Sequence, residues 1–168
     1  MRIETERLII KDFDIEMAQA VHENSLDEDN RRFVPDEVFE TVDEARETIE
    51  FLMSQYDSVD GPLVYPIITK DDENIGYVQL APIEEGWEIG YHIAKKYTGN
   101  GYATEAVKAF IPYIAEKKAL QAIWGVCLKE NWASVKVMEK CGFETVFVGE
   151  GEYQGQRCEI VKKIWQVN

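Results

Sequence analysis

Thr98-Gly99-Asn100-Gly101-Tyr102-Ala103-Thr104 lies between an apolar run, Trp87 to Ala94, and an amphipathic stretch that opens at Tyr102. Glycines so placed let the backbone turn sharply and let a ligand approach it closely. The first amides of a following helix have no internal carbonyl partners, and with the positive end of the helix dipole they favour an anion such as a phosphate. A strand-turn-helix junction also uses glycine merely to turn, and on this segment alone both readings stay open. Two other phosphate motifs fail on the letters. A G-x-G-x-x-G fingerprint needs a glycine where Thr104 stands, and the strand before it would open a parallel βαβ unit rather than close a meander. Nor does a Walker-type G-K-[ST] occur.

Upstream, Leu63–Thr69, Ile75–Ile83 and Trp87–Ala94 are apolar or β-branched runs separated by the polar turns Lys70–Asn74 and Glu84–Gly86, which predicts three antiparallel strands. Downstream, Tyr102–Lys118 reads as a helix, Ala122–Leu128 as a strand and Trp132–Cys141 as a helix stopped by Gly142. Phe143–Val148 with Arg157–Val167 then forms a closing hairpin. At the other end, Arg7–Phe13 reads as a strand and Asp14 caps a helix running to about Leu26. The acidic stretch Asp27–Glu40 reads as a loop. Thr41 and Glu44 form a capping box, and Ala45, Ile49, Leu52 and Met53 repeat at helical spacing to about Tyr56. The expected fold is therefore mixed α+β, a mostly antiparallel sheet of about six or seven strands flanked by about four helices.

The chain has 168 residues, 45% of them apolar, which suits a single domain over residues 1–168. Its apolar stretches fall short of the roughly 20 residues that span a bilayer, and the opening residues show neither a secretory nor a transit pattern, so no membrane partner and a cytoplasmic location are expected. Three cysteines, Cys127, Cys141 and Cys158, and two histidines, His22 and His92, keep no metal-ligand spacing; reduced thiols and no metal are expected. Charge is lopsided. Residues 1–60 carry 6 basic against 18 acidic side chains, whereas residues 95–140 carry 8 lysines against 4 acids. A protein with one anionic and one cationic ligand would segregate charge in this way, although exposed carboxylates also serve solubility. The net charge of -14 argues against a nucleic-acid partner.

Trp87-Glu88-Ile89-Gly90-Tyr91-His92-Ile93, followed by Thr98 to Ala106, resembles the cofactor motif of the GNAT acetyltransferase superfamily. Asn131-Trp132-Ala133-Ser134, then Val137 to Phe143, together with Thr5-Glu6-Arg7-Leu8, resembles the branch of RimJ/RimL ribosomal-protein acetyltransferases. The likeness spans nearly the whole chain in order and spacing. It implies an N-acetyltransferase carrying acetyl from acetyl-CoA to an amine, either a small cationic amine or a protein N-terminus, and it leaves a homodimer open. A CoA-binding module without catalysis is the alternative, suggested by two departures from the family pattern: Thr98 where Gln or Arg is usual, and Met138 where a tyrosine is usual.

The resemblance also implies roles. Backbone amides of Thr98, Gly99, Asn100, Gly101, Tyr102, Ala103 and Thr104 would hold the pyrophosphate of CoA, and the pantetheine arm would run along Tyr91, His92 and Ile93 like an added strand. Asn131 would hold a pantetheine amide, and Ser134 would hydrogen-bond the departing sulfur; both residues can equally serve as helix caps. An alkyl ammonium with a pKa near 10.4 is almost wholly protonated at neutral pH, so a base is needed. Glu88 is the candidate, directly or through a water, with His92, on the same strand face, as the second.

Overall fold

The computed structural model describes residues 1–32 and 34–168. Two short strands open the chain, β1 (Arg2–Glu4) and β2 (Leu8–Lys11), where the sequence predicts only one over Arg7–Phe13. Thr5 causes the break: its N–H donates to Leu8 O and its hydroxyl accepts the Leu8 N–H, folding β1 back onto β2. Leu8 and Ile10 are fully buried, and Phe13 leaves the strand to enter a separate apolar cluster.

A 3₁₀ turn, Ile15–Met17, is capped by Asp14 and runs into α1 (Ala18–Ser25). The stretch read as a loop contains α2 (Glu28–Phe33) and a 3₁₀ turn at Pro35–Glu37. Helical periodicity could not reveal α2, because no apolar stripe drives it. Its ends hold it instead: Asp27 Oδ1 accepts the Asn30 N–H at 2.7 Å, and acids begin it while Arg31 and Arg32 end it, matching the helix dipole. Asn30, 1% exposed, donates through Nδ2 to Ser25 O and Glu37 O and so ties the segment together. In α3 (Val42–Ser54) Thr41 Oγ1 accepts the Glu44 N–H as expected, but the Glu44 carboxylate takes the Glu40 N–H, so the capping box closes one residue early.

The meander β3 (Leu63–Thr69), β4 (Asn74–Ile83) and β5 (Gly86–Ile93) follows, then a 3₁₀ turn at Lys95–Tyr97 and α4 (Tyr102–Lys117). The chain closes with β6 (Ala122–Leu128), α5 (Trp132–Lys140), β7 (Glu144–Tyr153) and β8 (Gln156–Gln166). Strand β7 runs past Val148, where the sequence suggested its end. Its turn lies at Gln154 and Gly155, both at positive φ, and at Gly151 the missing side chain leaves room for Ile160 of the partner strand.

One sheet takes all eight strands in the order β1-β2-β3-β4-β5-β6-β8-β7. Among the described residues, the five α-helices and eight strands exceed the expectation by α2 and β1. The larger core joins α4 and α5 to one face, through Ile89, Phe110, Ile114, Ile123 and Met138, while α1 and α3 cover part of the other through Ala18, Ala45 and Ile49. Among the described residues no helix is long and apolar enough to cross a membrane.

Candidate active site

Every neighbouring pair of strands is antiparallel except β5 and β6, which run parallel and meet at one residue pair, Glu88 with Trp124. Beyond that rung the two strands part. A cleft of about 600 Å³ lies between them, walled by Ile89 to Ile93 on one side, by Val126 and Cys127 on the other, and by Asn131, Ser134 and Val137 at the start of α5. Among the described residues, the edge of β5 facing this cleft has no strand partner after Glu88.

At the mouth, Gly99 and Gly101 stand at φ 82° and 78°, a region open to glycine at little cost. Gly101 is the N-cap of α4 and offers no side chain, so the first amides of that helix are left for another partner. The loop is held from outside. Asn100 Nδ2 donates to Tyr97 O and Thr98 O, and Thr98 Oγ1 donates to Lys95 O. From β2's end, Arg7 Nη1 donates to Asn100 O at 2.9 Å while its guanidinium lies over the Tyr102 ring. Glu105 fixes Arg7 in turn, accepting from Arg7 Nε, Arg7 N–H and Thr5 Oγ1 at 2.7, 2.9 and 2.6 Å. Burial pushes the Glu105 carboxyl up, but the bonds from Thr5 and Arg7 outweigh it and hold the group below the usual carboxylate range. Its stabilisation is therefore present above the unfolded value of 4.5 and fades as the pH falls through the lower folded value. Glu105→Ala is expected to cost about 1–3 kcal/mol at neutral pH, read from a lower urea midpoint at unchanged slope, and to cost progressively less in acid.

Deeper in the cleft, Tyr91 Oη bonds Ser134 O at 2.9 Å and Ser134 Oγ at 2.8 Å, joining β5 to α5 across the gap. Burial pushes the phenol far up, so it stays protonated. Asn131 is the N-cap of α5, its Oδ1 accepting the Ser134 N–H at 3.3 Å, so the capping role foreseen for it is real. Cys127 is 3% exposed in the wall, and burial pushes its thiol up.

Glu88 and His92 share the face of β5 away from α4, with Glu88 at the parting rung. Burial pushes the Glu88 carboxyl up to about 7, with Glu85 adding to the rise and Lys162 opposing it. Burial pulls the His92 imidazole down, against a raising pull from Asp27. His92 Nε2 lies 3.4 Å from Asp27 Oδ2, yet the alignment makes no hydrogen bond. Sequence reasoning missed Glu37, Tyr153 and Lys162, which line the same cleft. Burial raises Glu37 to about 7, and it raises Tyr153 to about 12, with Cys127, Glu88 and Glu37 adding to the rise. Nothing in the letters separates Glu37 from the solvated acids around it.

The family described as acetyltransferase (GNAT) domain matches residues 7–144. The uncharacterized N-acetyltransferase YnaD of Bacillus subtilis (strain 168) is 31% identical over 145 residues, which is 84% of this chain and 82% of that protein. A GNAT-family acetyltransferase from Bacillus anthracis superposes with a TM-score of 0.83 at 27% identity, covering 99% of this chain and 98% of that one. The ribosomal L7/L12 α-N-protein acetyltransferase RimL, solved in complex with coenzyme A, superposes with a TM-score of 0.84 at 18% identity over 99% of this chain and 98% of its own.

Proposed function

Because the chain belongs to the GNAT acetyltransferase family and is thus an acetyl-CoA-dependent N-acetyltransferase, we propose that Glu88 is the base for direct attack of an amine on the thioester, in a ternary complex without an acyl-enzyme. The observation that carries this reading is a partly buried carboxyl, lifted by that burial to about 7, at the rung between β5 and β6 where the open strand edge begins. A group with that pKa is half ionised at neutral pH and can take the ammonium proton there, directly or through a water.

The residues suit acetyl-CoA on three counts. Amides from Gly99 to Thr104, at an uncapped helix start, suit its pyrophosphate. The free edge of Tyr91, His92 and Ile93 suits an extended pantetheine arm, and a backbone N–H there would stabilise charge developing on the carbonyl oxygen. Asn131, although it caps α5, keeps its amide N–H₂ for a pantetheine carbonyl. As the amine nitrogen bonds to the acetyl carbon, the carbon–sulfur bond breaks and the thiolate departs. Ser134 then serves the sulfur: Tyr91 gives its one proton to Ser134 O and accepts the serine hydroxyl, whose proton turns to the sulfur as charge develops there. A thiolate with a pKa near 8.5 needs little help, so Ser134→Ala and Tyr91→Phe are each expected to lower kcat by only about three- to tenfold, without shifting KM for acetyl-CoA.

Asp29, Glu37, Glu85, Glu88 and Glu152 line the cleft together with Lys162, an acidic balance that favours a cationic acceptor. The likeness to RimL supports a peptide α-amine as one such acceptor. Release of free CoA, followed over polyamines, amino sugars, amino acids and peptides of varied first residue, tests the reading. Saturable release with one class is expected. No release from any amine would overturn it.

A further inference from the structure

In the register of β4 with β5, Tyr77 stands opposite His92, Gln79 opposite Gly90 and Ala81 opposite Glu88. Cross-strand partners share a face of the sheet, so Gln79 lies on the face that carries Glu88 and His92, diagonal to both and within reach of a long side chain. Gly90 leaves its own place on that face empty, and Gln79 takes it: a Cβ on Gly90 would stand 2.6, 2.8 and 3.0 Å from Gln79 Nε2, Cγ and Cδ. The carboxamide therefore lies across β5 between the two titratable side chains. Nε2 is the end nearest Gly90, so Oε1 is the end turned away from it.

Among the described residues Gln79 makes no side-chain hydrogen bond, although it is partly buried and lines the cleft. Neither its oxygen nor its nitrogen belongs to the buried atoms without a partner, so both meet the open space that the residue lines. Such an amide is available to a ligand.

An alkyl ammonium brings three N–H donors. Glu88 takes one of them and, on the acetyl-transfer reading, its proton. A second carboxylate at the remaining donors would hold the cation too, but it would oppose deprotonation. A neutral carboxamide oxygen keeps its hydrogen bond before and after the proton leaves. Holding one N–H also fixes the direction of the lone pair, which must point at the acetyl carbon. We propose, resting on that reading, that Gln79 positions the acceptor: its oxygen accepts one N–H of the attacking amine while Glu88 takes another, and the lone pair is thereby aimed at the thioester.

Butylamine and diaminobutane are the probes, titrated by calorimetry into the complex with CoA and assayed for kcat and KM. Gln79→Met keeps the length of the side chain and its cover over Gly90 but removes the amide. It is expected to weaken amine binding, and to raise KM for the amine, by at least about tenfold, with KM for acetyl-CoA unchanged and the urea midpoint no lower. Gly90→Ala pushes the amide aside and is expected to bring a similar loss, with no further loss in the double variant, because both remove one contact. Gln79→Glu restores an acceptor oxygen. It is expected to keep amine binding within about threefold of the parent and to move the acid limb of kcat upward by roughly one pH unit, since a second carboxylate opposes ionisation of Glu88 while Glu85 and Lys162 stay as they are. Amine binding unchanged in Gln79→Met, additive losses in the double variant, or an unmoved limb in Gln79→Glu overturns the proposal, while acetylation of the amines leaves the acetyl-transfer reading standing. No binding of either amine to the parent overturns it as well. Amine binding that is lost in both Gln79→Met and Gly90→Ala, with no amine acetylated, upholds Gln79 as the holder of the amine and overturns that reading instead.

Discussion

Glu88→Gln is expected to lower kcat by about 10²- to 10⁴-fold, with KM for acetyl-CoA little changed, because the substitution keeps the side chain's shape and removes only its capacity to accept a proton. The pH profile carries the sharper signature. In the parent, kcat should rise with pH through an apparent value of about 7, the value to which burial lifts this carboxyl. In the variant that limb should vanish. A parallel stability measurement separates this role from a structural one. The folded pKa of Glu88 lies above its unfolded value of 4.5, so ionising the buried group opposes folding, and stability is lost as pH rises between the two values. The glutamine variant should therefore be more stable than the parent above neutral pH, and equal to it in acid. Loss of activity together with gain of stability is what a strained catalytic group predicts. A variant that is both less active and less stable, or a limb near 7 that persists, would assign the proton transfer elsewhere.

Gly101→Val is expected to weaken CoA binding by at least about tenfold, since a β-branched residue at φ 78° forces the loop to move and tilts the first amides of α4 away from their ligand. Strain alone would also destabilise the fold, by roughly 1–2 kcal/mol. Gly155 supplies the control. It has the same φ of 78°, open space around it, and a place in the β7–β8 turn far from the loop in sequence. Gly155→Val should cost similar stability and leave the calorimetric titration with CoA unchanged. If both variants bind CoA like the parent, the loop does not carry the pyrophosphate.

The parts of this molecule that could be read from its letters are those in which one local force dominates. The meander from Leu63 to Ile93 is three mainly apolar runs cut by two short polar turns, and Tyr102–Lys117 and Ala122–Leu128 keep their periods throughout, so their bounds agree with the structure to within a residue or two. Helix α2 was hidden because side-chain caps and one buried asparagine hold it, rather than an apolar stripe. Strand β1 was hidden by its length of three residues. The far end of β7 looked like a loop because Gly149 and Gly151 interrupt its pattern, and the need for Gly151 lies in Ile160 across the ladder.

The site divides along the same line. The glycine loop announces itself through residue type. The character of Glu88 does not, since it arises from burial and from Glu85 and Lys162, the latter brought in from the far end of the chain. The tie between Tyr91 and Ser134 joins residues 43 apart, and sequence spacing gave no reason to pair them.

The single rung between β5 and β6 has a mechanical meaning. A sheet held together there at one point is two plates on a hinge, and each ladder bond forgone along the parting edges is worth about 0.5–1.5 kcal/mol to an ordinary sheet. An acyl donor lying along that edge would restore part of the ladder, so loading the substrate and bracing the plates become one event. The supply of acyl donor would then set how stiff the protein is, as well as how fast it works.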